Sequence, residues 1–540
     1  MLWIALHLPL LSLESFAATL APGAPAVAGE PLLALVEARR ITQANAAAQA
    51  LGIGPGMQRA TALALAPGIT LGAANPARDA DALTAVAHAA LAFTPMVAVQ
   101  PAHDAVGAAR QAPDTVLLEV QGSLRYFGGR TALLQRLLAA LAPLGHRLHT
   151  VSAPTPLAAV LLARVHREWH GDDLATTAQA LHAAPVWLLG PGRLHWEALQ
   201  GMGLRTLADL RTLPRSGLAR RFGPALLDEL DRALGTRPDP RVPMQLPPRF
   251  EARLELFQRA DTTEPLLYGA GVLLARLVAW LAAQHAFARR FTLVMEHELR
   301  SRRDESTSTP TPAETALDIA LAEPSRDTAH LLVLLRERLA NLPLPAPTLE
   351  LRLHCDDIAQ HAPPSGELFP TARSEQEGLT RLIERLQARL GCDQVQRLVS
   401  VADHRPERAT RVQPADARVL LPARLQAATQ RAANPGRAAA HAPAHVATHA
   451  ATHAPAMRPV WLLEQAQPLI DRATGPQLDG QPLQLVSGPE RIEAGWWDAG
   501  LAERDYFIAQ QPGGALVWVY RARRVADAAG PGWFLQGRFG

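Results

Sequence analysis

The sequence predicts an α+β fold divided into several domains, and three observations support this. The chain has 540 residues, several times the ~150 residues of a typical domain. Its first 150 residues alternate short apolar runs with helix-forming stretches, whereas residues 170–240 are helical throughout. Apolar residues make up 48% of the chain, which excludes wholesale disorder, while 45 prolines and 37 glycines require many turns and linkers.

Residues 1–165 predict one α+β domain. Leu2 to Leu8 and Pro31 to Glu37 are apolar runs typical of strands, and Ile41 to Leu51 is alanine-rich and predicts a helix. The later elements are a helix over Asp79 to Phe93, strands over Val97 to Gln100 and Thr115 to Val120, a helix over Leu133 to Leu141 and a strand over His149 to Ser152. This order of strand, helix, two strands, helix and strand predicts a ferredoxin-like unit with an insertion after its first strand.

The sequence of residues 166–243 predicts a helical domain with a candidate site for a DNA phosphate. Gly201 and Gly203 lie in a turn between two helical stretches. Such a turn exposes backbone N–H groups at a helix start, where they bind a DNA phosphate. A plain helix–helix turn in a small bundle explains the glycines equally well. Arg215, Arg220 and Arg221 follow and favour nucleic acid.

Residues 244–410 predict a second α+β domain. Its elements are strands over Glu251 to Leu256, Phe291 to Leu299 and Thr348 to His354, and helices over Leu266 to Gln284 and Thr328 to Asn341. Polar residues interrupt the first of these helices, which predicts a buried amphipathic helix and no membrane span. Arg300, Arg302 and Arg303 share one loop, which suits a phosphate contact, although a solvated turn would also hold them.

The last part of the chain predicts a linker and a small β-rich module. Residues 411–457 are rich in Ala, Pro and His, and residues 458–540 hold half of the ten tryptophans. Aromatic residues at this density predict a contact surface, a packed core, or both.

Composition excludes several classes of chemistry. All 53 basic residues are arginines, so mechanisms that need a lysine are excluded. The two cysteines, Cys355 and Cys392, form neither a disulfide framework nor a four-ligand zinc site, which predicts a reducing, cytoplasmic location. No positive side chain precedes Arg39, which argues against a secretory signal. A net charge of +3 says nothing by itself about nucleic acid.

Several sequence strings resemble one family along nearly the whole chain. They include Asp114-Thr115-Val116-Leu117-Leu118-Glu119-Val120, the turn Gly201-Met202-Gly203, Asp403-His404-Arg405-Pro406-Glu407-Arg408 and Gly495-Trp496-Trp497-Asp498. The chain resembles the Y-family translesion DNA polymerases of the DinB/UmuC type, and most closely their catalytically inactive ImuB branch. The resemblance implies a polymerase-like right hand: palm and fingers at 1–165, helical thumb at 166–243, little finger with a clamp-binding segment at 244–410, a linker at 411–457, and a partner-binding module at 458–540.

The resemblance also implies that the catalytic acids are missing. Active members hold two Mg²⁺ ions with one acid from the first strand and an Asp-Glu pair from a later one. Here Leu6 and Thr115 stand where two of those acids are expected, which leaves Asp114. Glu119 lies roughly 16 Å further along the strand and on its opposite face, so it should not replace them. We therefore expect no catalytic residues, no bound metal and no cofactor.

The resemblance further implies protein partners. Ser365-Gly366-Glu367-Leu368-Phe369 resembles the short peptide that docks the sliding clamp (beta) through Leu368 and Phe369, although these two side chains could instead pack on their own domain. Trp496, Trp497, Tyr506 and Phe507 are expected to bind partners. The family's partners are a RecA-like ImuA companion and the alpha subunit of an error-prone replicative-type polymerase.

The favoured hypothesis is a non-catalytic adaptor for SOS-induced translesion synthesis and mutagenesis. It would bind primer–template DNA and the clamp and recruit an error-prone polymerase, with no membrane involved. One alternative is an active low-fidelity Y-family polymerase that uses Asp114, another acid such as Glu14 or Glu119, and Mg²⁺. Another is a plain DNA-binding protein without a clamp contact.

Overall fold

A computed structural model describes ten stretches of the chain, which divide into two compact units. The described residues are 1–20, 26–27, 30–101, 113–298, 312–360, 372–415, 458–473, 475–498, 500–523 and 532–539. The first unit is Met1–Arg389 and the second is Leu390–Gly540.

Among the described residues up to 170, the chain forms ten strands and seven α-helices. They are β1 (Trp3–His7), α1 (Leu11–Ala17), β2 (Ala26–Val27), β3 (Glu30–Pro31), β4 (Leu33–Glu37), β5 (Arg40–Ala44), α2 (Ala46–Ala50), α3 (Arg59–Leu65), β6 (Thr70–Gly72), α4 (Pro76–Leu91), β7 (Val97–Val99), β8 (Thr115–Glu119), α5 (Leu124–Phe127), α6 (Arg130–Leu141), β9 (His149–Ala153), α7 (Pro156–Ala163) and β10 (Glu168–His170).

The palm is the predicted ferredoxin-like sheet. Its strand order is β10-β9-β1-β8-β7, and β1 runs antiparallel to both β8 and β9. Helices α4 and α6 cover one face and bury Leu83, Val86, Leu133 and Leu137 against Ile4 and its neighbours. Because β1 is covered on both faces, all five of its residues are buried. The sheet brings the ends of β1 and β8 together, which builds the site described below.

The fingers contain one element that the sequence analysis assigned wrongly. Ile41 to Ala44 is not the start of a helix but lies in β5, which pairs antiparallel with β4. Asn45 then caps α2 by accepting a hydrogen bond from the Ala48 N–H at 3.1 Å. The β-branched Ile41 and Thr42 suit the strand, and the alanines that follow suit the helix.

The thumb is helical, as its sequence predicts. It comprises α8 (Leu174–His182), α9 (Gly190–Leu194), α10 (Trp196–Gly201), α11 (Leu207–Thr212), α12 (Arg215–Phe222) and α13 (Pro224–Leu234). Leucines of these helices, among them Leu199, Leu218 and Leu230, pack with α7 in one core. This core attaches the thumb to the palm.

The little finger is a four-stranded sheet covered by helices. Its elements are β11 (Phe250–Ala260), α14 (Thr263–Ala283), β12 (Ala286–His297), β13 (Glu314–Ser325), α15 (Thr328–Ala340), β14 (Thr348–Gln360) and α16 (Ala372–Leu390), with sheet order β11-β14-β12-β13. Within the described residues, α14 is the one helix long and apolar enough to cross a membrane, but 61% of its apolar window is buried inside the protein. Its core contacts, including Trp280, match the predicted buried helix.

The second unit is mostly β-structure. It contains β15 (Gln396–Ser400), β16 (Thr410–Pro414), β17 (Trp461–Arg472), β18 (Gly475–Leu478), β19 (Gln481–Pro482), β20 (Gln484–Ala494), β21 (Ala502–Gln510), β22 (Leu516–Ala522) and β23 (Gly532–Arg538). The last seven strands form one sheet in the order β19-β18-β17-β23-β22-β21-β20. The prediction of a β-rich module at this end of the chain agrees with this sheet.

Candidate functional site

Three residues meet where the palm strands β1 and β8 end. His7, the last residue of β1, lies opposite Thr115, the first residue of β8, and Asp114 immediately precedes Thr115. The Leu8 N–H donates to the Asp114 backbone carbonyl at 2.8 Å, so the two chains stay hydrogen-bonded one residue beyond the ends of β1 and β8. The sheet register therefore places the His7 side chain beside the Asp114 carboxylate.

The Asp114 carboxylate is occupied by partners from inside the protein. Arg164, which ends α7, donates from Nη2 to Asp114 Oδ1 at 3.0 Å, and the Thr115 hydroxyl donates to the same oxygen at 2.8 Å. His7 Nδ1 lies 3.6 Å from that oxygen and 3.2 Å from Thr115 Oγ1. The His149 ring packs edge-on against the His7 ring at a centroid distance of 5.6 Å. One aspartate thus has an arginine, a hydroxyl and two imidazoles around it.

The electrostatics of this cluster favour an ionised aspartate. Burial raises the pKa of Asp114, but its contacts with His7, Arg164 and Thr115 outweigh that effect and lower the pKa to about 2. The Arg164 side chain is 8% exposed, and its Nε and Nη1 atoms are buried without a hydrogen-bond partner among the described residues. The cluster therefore has more donors than acceptors.

The residues present do not fit the two divalent ions that Y-family chemistry requires. Mg²⁺ takes oxygen ligands, and a two-metal site needs several carboxylates. Asp114 is the one carboxylate of the cluster and already neutralises Arg164. In the described part of the chain, no three His, Cys, Asp or Glu side chains come together as a metal site would need. A further cation would add positive charge where acceptors are already lacking.

The other positions named by the sequence analysis lie elsewhere. Leu6 is fully buried in the apolar core of the palm, so the first-strand side chain that faces Asp114 is that of His7. Glu119 lies at the far end of β8, where it accepts from the Leu2 N–H at 3.3 Å. Glu14 accepts from the Arg147 N–H at 3.0 Å. Neither acid is a partner of Asp114.

Sequence reasoning missed both His7 and Arg164. His7 could have been found by pairing β1 antiparallel with β8, because that register sets it opposite Thr115. Arg164 follows an uninterrupted apolar helix, and no local pattern connects it with a residue 50 positions earlier.

The glycine turn of the thumb does not present the free N–H groups expected of it. Gly203 has a φ of +80°, as a tight turn requires. The N–H groups of Arg205 and Thr206 donate to the Asp209 carboxylate at 2.9 and 2.8 Å, and the Leu207 N–H donates to a backbone carbonyl. These bonds lower the pKa of Asp209. The Asp209 carboxylate therefore accepts from the N–H groups at the helix start where a DNA phosphate was expected to bind. Gly201 and Gly203 agree with the alternative, a plain helix–helix turn.

The predicted DNA-binding arginines differ in whether they are described by the structure and in whether they form ion pairs. Arg215, Arg220 and Arg221 of α12 are all exposed. Arg215 donates to Asp231 at 2.5 Å, and this ion pair partly neutralises its positive charge. Arg220 and Arg221 have no ion-pair partner among the described residues. Arg300, Arg302 and Arg303 lie outside the residues that the structure describes.

The face of the little-finger sheet opposite its apolar core carries a row of glutamates. In the strand register Glu255 lies opposite Glu350, Glu350 opposite Glu296, and Glu296 opposite Glu314. Burial raises the pKa of Glu350, and the neighbouring Glu296 raises it further. Arg352 beside the row bonds Glu314 and lies within 3.9 Å of Glu296. Four acids across four strands repel phosphate, so this row is not a DNA contact.

In the second unit, an arginine from one family-like string binds the loop formed by another. Arg405 lies in a turn before β16, and its side chain is 3% exposed. Its Nη1 and Nη2 donate to the two Asp498 carboxylate oxygens at 2.8 Å each. Its Nε and Nη2 donate to Asp403 at 3.0 and 2.7 Å, and Nη1 also donates to the Gly500 carbonyl at 2.8 Å. We call these four residues the arginine clasp.

The arginine clasp holds a pair of exposed tryptophans. Trp496 and Trp497 are 79% and 53% exposed, and their rings meet edge to face at 5.4 Å. The Arg405 guanidinium lies 5.6 Å from the Trp497 ring centre. A Cβ at Gly495, where φ is +83°, would lie 2.5 Å from Arg405 Nη1, so the clasp requires glycine there. The loop presents apolar aromatic area to solvent on a fixed support.

The remaining predicted partner-binding residues divide between surface and core. Tyr506 is 1% exposed and stacks on Trp518 at 4.2 Å, so its predicted role as a contact residue is wrong for this fold. Phe507 is half-buried against Trp533. Leu368 and Phe369, which the sequence analysis predicts to bind the clamp, lie outside the described residues.

Comparisons with known proteins identify relatives over most of the chain. No family model matches the sequence. The chain is 28% identical over 518 residues to the protein named ImuB from Caulobacter vibrioides strain NA1000 / CB15N, covering 91% of this chain and 100% of the relative. The same values hold for ImuB from strain ATCC 19089 / CIP 103742 / CB 15.

Solved structures similar to this chain cover about two thirds of it. An insertion ternary complex of Dbh DNA polymerase is 16% identical, covers 67% of this chain and 100% of its own, and has a TM-score of 0.36. DinB from Sulfolobus solfataricus is 15% identical, covers 66% and 99%, and has a TM-score of 0.33. The match to the two Caulobacter proteins, over 91% of this chain and all of theirs, confirms the resemblance to ImuB-type proteins that the sequence predicts.

Proposed function

We propose that the protein acts in SOS-induced translesion DNA synthesis as a non-catalytic adaptor with a polymerase-like fold. The observation that carries the proposal is the palm cluster, in which Arg164, Thr115 and His7 occupy the Asp114 carboxylate. A polymerase needs that carboxylate for metal ions that bridge the primer and the incoming nucleotide. We infer that a palm whose aspartate is bonded by its own side chains keeps the polymerase-like fold but does not catalyse nucleotide transfer.

The adaptor would work in the cytoplasm by holding DNA and proteins together. Arg220 and Arg221 on α12 are exposed and suit phosphate contacts, which predicts salt-dependent binding of primer–template DNA without sequence preference. Leu368 and Phe369 would dock the sliding clamp. Trp496 and Trp497 would bind a partner of the mutagenic complex, either the RecA-like ImuA companion or the alpha subunit of an error-prone polymerase.

Primer extension by the purified full-length protein tests the non-catalytic part. With Mg²⁺ or Mn²⁺ and all four nucleotides, we expect no extension above an Asp114→Ala control, while primer–template DNA binds in a salt-sensitive way. Extension that disappears in Asp114→Ala would establish an active polymerase and overturn the proposal.

Damage-induced mutagenesis in cells tests the adaptor part. Trp496→Ala should abolish mutagenesis, because it removes exposed contact area without touching the core. Trp461→Ala is the matched control, since Trp461 is 68% exposed in the same unit and lies outside the tryptophan pair. Leu368→Ala with Phe369→Ala should also abolish mutagenesis. Equal effects of Trp496→Ala and Trp461→Ala would remove the pair from the partner surface.

A further inference from the structure

Helix α16 attaches to the little finger through polar side chains. Glu384 is 6% exposed, and its Oε2 lies 3.0 Å from His330 Nε2 while its Oε1 accepts from the Ala322 N–H. Asn341 Nδ2 donates to the Arg389 carbonyl at 2.8 Å. These contacts fix the helix against α15 and β13 and determine which of its sides faces solvent.

The same helix exposes a row of leucines. Leu379, Leu382, Leu386 and Leu390 are 43%, 52%, 37% and 53% exposed, and we call them the leucine row. Spacings of three, four and four residues set them on one face of the helix. An amphipathic helix ordinarily turns such a face toward its own core, whereas α16 uses Thr380, Ile383 and Glu384 there. A contiguous apolar row left in water marks a surface for another protein.

Basic residues follow one flank of the leucine row. Arg381, Arg385 and Arg389 recur every four residues, and the first two are 52% and 59% exposed. They reach Asp327 and Glu337 of the little finger at 3.3 and 3.0 Å, and more than half of each arginine side chain stays exposed. The one acid between residues 378 and 390 is the buried Glu384. The docking face is therefore apolar with a basic border.

We propose that the leucine row docks an amphipathic helix of a partner protein that has its own apolar face bordered by acidic side chains. Complementary charge along an apolar seam sets the choice of partner in such helix pairs. If a second copy of residues 378–390 paired antiparallel, the arginines of one helix would lie against those of the other. If it paired parallel, the arginines of one helix would lie against the uncharged flank of the other, which contains Gln387. Self-pairing would give the basic border no acid, so we commit to a different protein. This surface is separate from the palm and the tryptophan pair.

Fluorescence anisotropy with synthetic helices tests the proposal on the full-length protein. The probe is a labelled peptide of about three heptads with leucines at positions a and d and glutamates at e and g. We expect it to bind, and Leu382→Ser with Leu386→Ser to weaken binding by about tenfold or more. A second peptide with lysines at e and g should bind more weakly. Leu194→Ser with Leu213→Ser is the control, since these thumb leucines are also exposed.

Three results of the peptide assay would overturn the proposal. They are no binding of the acidic peptide, equal binding of the acidic and basic peptides, and binding that the leucine-row variant leaves unchanged. A dimer in sedimentation that the leucine-row variant dissociates would identify a second copy as the occupant instead. Because the substituted leucines are exposed, an unchanged thermal unfolding curve confirms that the variant is folded. The assay contains no DNA, clamp or nucleotide, so its failure would leave the adaptor proposal standing.

Discussion

Two buried arginines, Arg164 in the palm and Arg405 in the second unit, both pair with aspartates but differ in how completely their guanidinium groups are hydrogen-bonded. Every guanidinium nitrogen of Arg405 has an acceptor, and two carboxylates face its single charge. Arg164 has one aspartate, and two of its nitrogens have no acceptor in the part of the chain that the structure describes. The side chains are comparably buried, at 3% and 8% exposure.

The difference separates a fully hydrogen-bonded ion pair from one that is bonded only in part. The arginine clasp satisfies the rule that buried charges are paired and fully hydrogen-bonded. The palm cluster satisfies it only in part, because two nitrogens of Arg164 lack an acceptor among the described residues. We therefore expect the clasp to contribute more to stability than the palm pair does.

Breaking the clasp should have the largest effect. Arg405→Met leaves Asp403 without its arginine and Asp498 with the exposed Arg408 alone, and we expect the second unit to melt roughly 10 °C lower. Arg405→Lys should recover little of this, because an ammonium cannot replace the two-pronged bond to Asp498. Thermal unfolding followed by tryptophan fluorescence measures both variants, since Trp497 lies beside Arg405.

The control for the clasp is Arg408→Met. Arg408 is 52% exposed and donates to Asp498 through one bond of 2.8 Å, so its loss should lower the melting temperature only slightly. Equal effects at Arg405 and Arg408 would contradict the proposed difference between a complete clasp and a surface ion pair.

The palm pair should show strong coupling and a moderate cost. Arg164→Met alone leaves a buried carboxylate unpaired and should lower the free energy of unfolding by about 3 kcal/mol, and Asp114→Asn should cost a similar amount. The double variant should cost less than the sum of the two, because it removes both charges together. Urea unfolding of the four proteins measures the coupling. Additive costs would mean that the two charges do not depend on each other.

The pH dependence of the palm should be the smallest of these effects. The pKa of Asp114 in the folded protein is about 2, below its ordinary value. A depressed pKa gives stability that is complete above about pH 4 and is lost as the pH falls toward 2. The difference in free energy of unfolding between wild type and Asp114→Asn should therefore shrink by roughly 2 kcal/mol over that window. A constant difference would show that Asp114 is not held ionised by its neighbours.

Local sequence patterns predicted most elements of the first unit, and the errors have physical causes. Ile41 to Ala44 was predicted as helix because alanines follow it, but pairing with β4 favours a strand. No strand was predicted at β13, whose alternation of exposed and buried residues contains many alanines that fit either state. Gly201 and Gly203 correctly indicated a turn, yet the role of Asp209 depends on a capping box that forms only with helix α11.

The sequence by itself determined where helical and β-rich regions follow one another, because these depend on residue type and periodicity, and its motif strings carried the resemblance to Y-family polymerases. Tertiary structure alone decided which side chains face one another. It set His7 and Arg164 around Asp114, buried Tyr506 while leaving Trp496 exposed, and turned the leucine row of α16 outward. Register and helix rotation are fixed by packing between segments far apart in the chain, which local composition does not encode.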